Sequence, residues 1–418
     1  MKSPRTKALF LSLLGLLPLI SPSLPAQRRR RKTDICPYCK NDPDLLRRMG
    51  LVSHGPFPFA QAPQAEAGKI LTTKDIQKLL PFEHFRWIET KHFKIGSAMG
   101  SYSIQEKEKK YYRAQLERLK AMGLKKIKVK TRRLDPWLRL HLYAMWAEDT
   151  YKEFLRVVRK TDDDFPEDPA HAFKTIDGKR RYMGQGPYLG QPAKFEVLIT
   201  HTMKAYRIFM ARFLGRVTVQ AQRWNFVQRG ALFVGLSEEM PGHRNDQKMH
   251  NSMVFCLAIN MLDGYRFYAY NLPVWLTEGM GHYFERRVSP RFNSYDSNEG
   301  SVADLRRTWR YEPKVRALVA AGTYPPLAKI FRKRDYGELK FQDHLIVWSL
   351  VQFLADEHGD QFARFLDRMK GRINPDGSTS ASNLLGVQRR AFKEIFGWSM
   401  GRLEEAWKSY VLSHYPAK

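Results

Sequence analysis

"MHNSMVFCLAINML" (249–262) and, beginning seventeen residues after its Val254, "NLPVWLTEGMGHYFERR" (271–287) decide how this chain is read. The first stretch is apolar with few interruptions and predicts a helix buried on most sides. The second predicts another helix. Pro273 suits its first turn, Trp275 and Leu276 anchor it, and Glu278-Gly279 follows. Glu278 and His282 stand at i and i+4 on one face, and Glu285 continues that stripe.

Two such helices can build a zinc site. That site needs two histidines one turn apart, each with a nitrogen about 2 Å from the ion, and a glutamate after the first to activate bound water. A second helix supplies a glutamate ligand. Glu278 stands in that ligand position, and His250 in the first histidine slot. Asn251 occupies the slot of the general base and Val254 that of the second histidine. An amide does not take a proton from water at neutral pH, so no catalytic residue is expected there. His243 lies seven residues before His250, roughly 10 Å along a helix, too far to share the ion. The three residues left as a metal set are His250, Glu278 and His282. The alternative is that His282 and Glu285 are ordinary polar residues of an amphipathic face, and that His250 hydrogen-bonds Glu278.

Around this pair the pattern divides in two. "FRWIETKHFKIGSAMG" (85–100) alternates and reads as a strand. Residues 104–122 read as a charged helix. Leu140, Ala144, Ala147, Tyr151, Phe154 and Val158 mark a long helix from Trp137. Residues 170–193 read as a loop, 194–200 as a strand, and Met203 to Phe213 as a helix closed by Gly215. A hairpin or two strands is expected over 216–236. Beyond 246 the chain is mainly helical, and 373–383 reads as a surface loop. The expected class is α+β: a mixed sheet in the N-terminal half packed on helices, then a helical lobe. The divisions expected are 1–26, 27–79 (basic arm, C-x-x-C segment and linker), 80–245 and 246–418. "GWSMG" (397–401) matches a nucleophile-elbow string, but helix precedes it and only His414 follows, so Ser399 reads as a helix N-cap.

The chain opens with basic Lys2, Arg5 and Lys7, an apolar run from Ala8 to Ile20, and Leu24-Pro25-Ala26. This reads as a secretory signal, its apolar run too short to span a bilayer. No later run is long enough to do so. Without the three leader charges the formal net charge falls from +29 to +26. Such a charge attracts polyanions. In an exported protein the expected partners are a peptide or an anionic envelope polymer, and nucleic acid is not expected. The chain also carries Cys36-Pro-Tyr-Cys39. It reads as a small disulfide or dithiol, or as a metal site with His54 and one position open; haem or redox chemistry ranks below these.

Three stretches carry a family resemblance: "WIETKHFKIGS" (87–97), "LPVWLTEGMGHYFE" (272–285), and "LIVWSLVQFLADEHGDQFARFLDRM" (345–369) followed by "AFKEIFGWSMGRLEEAWKSYV" (391–411). Together they resemble the peptidase MA-like, gluzincin-fold proteins secreted by bacteria. The resemblance spans roughly 84–412 and implies a thermolysin-like fold with His250 and Glu278 at ligand positions. The chain departs from that pattern at Asn251 and Val254. The expectation is a secreted or periplasmic pseudopeptidase acting by binding, without cofactor. The alternative is a metal-dependent hydrolase with a non-standard zinc site.

Overall fold

The structure, a computed structural model, describes residues 35–176, 178–294, 310–370, 380 and 382–417. The expected leader, the basic arm and most of the 373–383 loop lie outside them. Cys36 onward forms one unit. In chain order it holds α1 (Pro43–Arg48), β1 (Leu51–Ser53), α2 (Thr73–Leu79), β2 (Arg86–Thr90), β3 (Phe93–Ser97), β4 (Tyr102–Ser103), α3 (Lys109–Ala121) and β5 (Arg133–Leu134). There follow α4 (Pro136–Val158), β6 (Phe173–Ile176), β7 (Lys179–Tyr182), β8 (Phe195–Thr200), α5 (Met203–Leu214), β9 (Gln222–Phe226) and β10 (Ala231–Ser237). The rest is helical: α6 (Asp246–Gly264), α7 (Val274–Val288), α8 (Tyr311–Ala320), α9 (Leu327–Ile330), α10 (Phe341–Glu357), α11 (Gly359–Lys370), α12 (Leu384–Ala391) and α13 (Met400–His414). The class is therefore α+β, with the sheet in the N-terminal half.

The main sheet is mixed, in the order β1-β2-β3-β8-β10-β9. β3, β8 and β10 run parallel, with antiparallel neighbours on either side. β8 and β10 are buried along their whole length, as parallel strands covered on both faces are. Period-two alternation sorts their side chains. Val197, Ile199, Val234 and Leu236 face the large core with α4 and α6, while Leu198 and Phe233 face a second core with Phe57, Phe59, Ile76 and Phe209. Residues 36–79, read from the sequence as appendage and linker, contribute to both cores.

Local chemistry sets the helix ends. Asp135 accepts from the backbone N–H groups of Trp137 and Leu138 ahead of Pro136, starting α4. Gly215, at φ 63°, ends α5. Ser399 Oγ accepts from Arg402 N (3.1 Å) and starts α13, as expected. The stretch 85–100 is a hairpin rather than a single strand. It reverses between β2 and β3, where Thr90 Oγ1 accepts from Phe93 N at 3.0 Å. The 170–193 segment holds the ribbon β6–β7. Phe173 is exposed there, so no buried alternation marked it.

α6 is central. Every residue from Met249 to Gly264 is buried, which a helix without a polar face requires. α7 lies between α6 and α10, and two glycines let it approach both. A Cβ on Gly281 would sit 2.6 Å from Phe255 of α6, and one on Gly279 would sit 2.7 Å from the Val347 carbonyl oxygen of α10. Backbone cannot yield as a side chain does. Gly279→Ala is therefore expected to destabilise the fold by about 1–3 kcal/mol despite its gain in helix propensity. Denaturant unfolding of the variant measures this, and a loss near zero would mean the α7–α10 approach is looser than described.

Candidate functional site

The α6 residues lie at a groove between α3, α4, α6 and α7. The cavity is about 340 Å³ and is lined by Tyr111, Trp146, His250, Val254 and Phe284. His250 stacks on Trp146, with ring centroids 3.9 Å apart and planes at 14°. Its Nδ1 lies 3.1 Å from the Tyr111 hydroxyl. Burial lowers its pKa to about 3. His250 thus hydrogen-bonds Tyr111, and the expected bond to Glu278 is not made.

Asn251 is fully buried. Its amide nitrogen faces three carbonyl oxygens at the end of α7: Ser289 at 2.8 Å, Glu285 at 3.1 Å and Phe292 at 3.3 Å. Only a donor suits that cage, so the nitrogen and not the oxygen must point there. The position that would hold a general base instead ties α6 to the end of α7. Val254, buried at the groove, supplies apolar surface in place of a second histidine.

Glu278 and His282 do come together, but their third member is His344 of α10, not His250. His282 Nε2 is 3.1 Å from His344 Nδ1 and 3.7 Å from Glu278 Oε2; His344 Nδ1 is 3.5 Å from Glu278 Oε2. A tetrahedral zinc with bonds of about 2.0–2.1 Å to nitrogen and oxygen has ligand edges of roughly 3.3–3.4 Å, so these atoms fit such an ion. Glu285, the next residue of the stripe, takes the outer position. Its Oε1 is 2.8 Å from His282 Nδ1, and both its oxygens accept from Ser294 N. A carboxylate behind a histidine orients the ring for a metal. Burial lowers the pKa of His282 to about 3 and that of His344 well below the usual value, so both rings are neutral, as ligands must be. All three candidate ligands are fully buried, and none lines the groove. An ion held here would be enclosed, whereas a catalytic ion needs a position open to substrate.

The sequence pattern alone does not single out His344 as a ligand. It is a lone histidine on an apolar helix, 62 residues from His282. Its signal was the interruption it makes in "FQDHLIVWSL" (341–350), which a single chain does not distinguish from a satisfied core histidine. Cys36, Cys39 and His54 also gather, and a second distant histidine, His141 of α4, joins them. Cys256 is a buried small side chain in α6.

No protein-family model matches the chain. No curated protein matches it either.

Asn251→Asp would turn a carboxylate towards three carbonyl oxygens in a buried cage. The variant is expected to lose about 3 kcal/mol or more of stability in denaturant unfolding; a neutral effect would remove the clamp assigned to this amide. Acid also acts on the groove. The folded state keeps His250 neutral down to about pH 3, while the ordinary value is 6.5. Below pH 6.5 the unfolded chain therefore binds the extra proton and stability falls as the pH falls. The slope is up to about 1.4 kcal/mol per pH unit for this ring. His250→Gln is expected to flatten the stability–pH curve by about that slope between about pH 6 and 4. Parallel curves for variant and wild type would show that the ring takes up its proton within the fold.

Proposed function

We propose that this chain has the peptidase MA-like, gluzincin fold and acts outside the cytoplasm as a pseudopeptidase, binding a peptide segment in the α6–α7 groove without cleaving it. The observation that carries this reading is the Asn251 clamp: the slot of the general base is occupied by a donor committed to backbone carbonyls. The order of sheet, α6, α7 and C-terminal helices supports the fold assignment, as does Glu278 at the ligand position of α7. The groove favours peptide over polyanion. Its rim arginines are matched by acids, Arg118 with Asp149 at 2.7 Å and Arg287 with Glu153 at 3.4 Å. Aromatic walls with paired charges suit an extended chain of mixed side chains. An anionic envelope polymer would use the net charge of +26 left without the leader, elsewhere on the surface.

A second reading is a metal-dependent hydrolase with a non-standard site. The convergence of Glu278, His282 and His344, with Glu285 behind, favours it.

One experiment separates them. A mixed peptide library is incubated with zinc-supplemented protein and with Glu278→Ala, and products are read by mass spectrometry. Identical product profiles are expected, with no cleavage by either, while library peptides shift the tryptophan emission of wild type but not of Trp146→Phe. Cleavage by wild type that Glu278→Ala abolishes would establish the hydrolase. Emission unaffected by any peptide would remove the groove as a binding site.

A further inference from the structure

We propose that Cys36, Cys39, His54 and His141 form a Cys2His2 zinc site that staples the N-terminal segment to α4. Their four donor atoms lie within 4.8 Å of one another. Cys36 Sγ is 3.1 Å from His141 Nε2, and Cys39 Sγ is 3.0 Å from His54 Nε2. Zinc bonds of about 2.3 Å to sulfur and 2.0–2.1 Å to nitrogen give tetrahedral edges of roughly 3.3–3.8 Å. Side-chain shifts of under about an ångström seat the ion.

Four further features point to a metal. His54 Nδ1 lies 2.9 Å from the Trp87 carbonyl oxygen, so that nitrogen carries the proton and Nε2 keeps its lone pair towards the sulfurs. The backbone N–H groups of Tyr38 and Cys39 point at the Cys36 sulfur. Lys40 and Asn41 then turn the chain away in left-handed conformations, at φ 51° and 58°. Cys36, Cys39 and His141 are each no more than 1% exposed, and three such donors in a core are costly to bury without a shared partner.

The donor chemistry selects the ion. Two sulfurs and two imidazoles in a tetrahedron suit zinc and exclude magnesium and calcium, which take oxygen. Binding releases two thiol protons and forms two Zn–S and two Zn–N bonds. No coordination position stays open, so the role is structural. The competing chemistry is a Cys36–Cys39 disulfide, which would give two electrons to an oxidant and two protons to solvent, and would leave both histidines without a ligand role.

Cobalt(II) tests the site, since thiolate ligands give it an intense near-ultraviolet charge-transfer absorption. An ion on Glu278, His282 and His344 has no sulfur ligand and gives none. The full chain is prepared under reducing conditions, without chelator or affinity histidines, and titrated with cobalt(II), then zinc. We expect the thiolate absorption to saturate at about one equivalent, to be displaced by zinc, and to vanish in Cys39→Ser. His141→Ala should retain thiolate absorption but lose the tetrahedral visible bands. Wild type without thiolate absorption would overturn the site, whether or not the variants fold. So would a Cys36–Cys39 disulfide by mass spectrometry in that reduced preparation.

Discussion

The buried ion pair between Arg139 and Asp246 holds the molecule in register. Asp246, in the first turn of α6, accepts from Arg139 Nη2 at 2.5 Å, from Tyr112 at 2.8 Å and from Tyr143 at 3.0 Å. Arg139 also bonds Glu238 and the Gly100 carbonyl oxygen. Two buried charges are tolerated only when their remaining hydrogen-bonding capacity is met, and here Tyr112, Tyr143, Glu238 and the Gly100 carbonyl meet it. The pair joins the start of α6 to α3, to α4 and to the chain leaving β3 and β10. An acid at a helix N-terminus also complements the helix dipole. With α6 fixed, Gly281 sets the approach of α7 and Gly279 that of α10. Glu278, His282 and His344 meet as a consequence of those two approaches.

α4 carries several functions within eight residues. Arg139, Tyr143 and Trp146, at i, i+4 and i+7, share the face towards α3 and α6, where they hold Asp246 and wall the groove. His141 leaves the helix in another direction and meets Cys36. A metal at Cys36, Cys39, His54 and His141 would therefore stiffen the strut that positions the groove. The groove and the N-terminal segment are in this sense coupled through one helix, although they do not share a residue.

Two polar residues of α6 are built into the packing around it. His250 packs on the face of Trp146 and bonds the hydroxyl of Tyr111. Asn251 clamps the end of α7. His250 Nδ1 and the Asn251 amide nitrogen each find a partner in a neighbouring side chain or backbone carbonyl. Glu278 and His282 instead gather in a metal-competent arrangement with His344 of α10, which lies on the opposite side of α7 from α6.

Local physics made much of the fold legible. The 3.6-residue period and the Asp135-Pro136 start defined α4, the left-handed Gly215 closed α5, Ser399 started α13, and the unbroken apolar run of α6 required a central helix. Glu278 and His282 were legible as one face of α7, since i, i+4 neighbours are set by helix geometry alone. His344 and His141 were not, because each meets its partners across 62 and 105 residues of chain. Periodicity tells which face of a helix is buried and says nothing about which polar group of another helix it will meet. The sequence by itself determined the helices, the strand-rich first half and the absence of a His-Glu-x-x-His string. Only the tertiary structure decided that His250 leaves the cluster, that His344 enters it, and that His141 completes the donors around Cys36-Pro-Tyr-Cys39. Those outcomes depend on helix approaches of a few ångströms, fixed by Gly279, Gly281 and the Arg139–Asp246 pair.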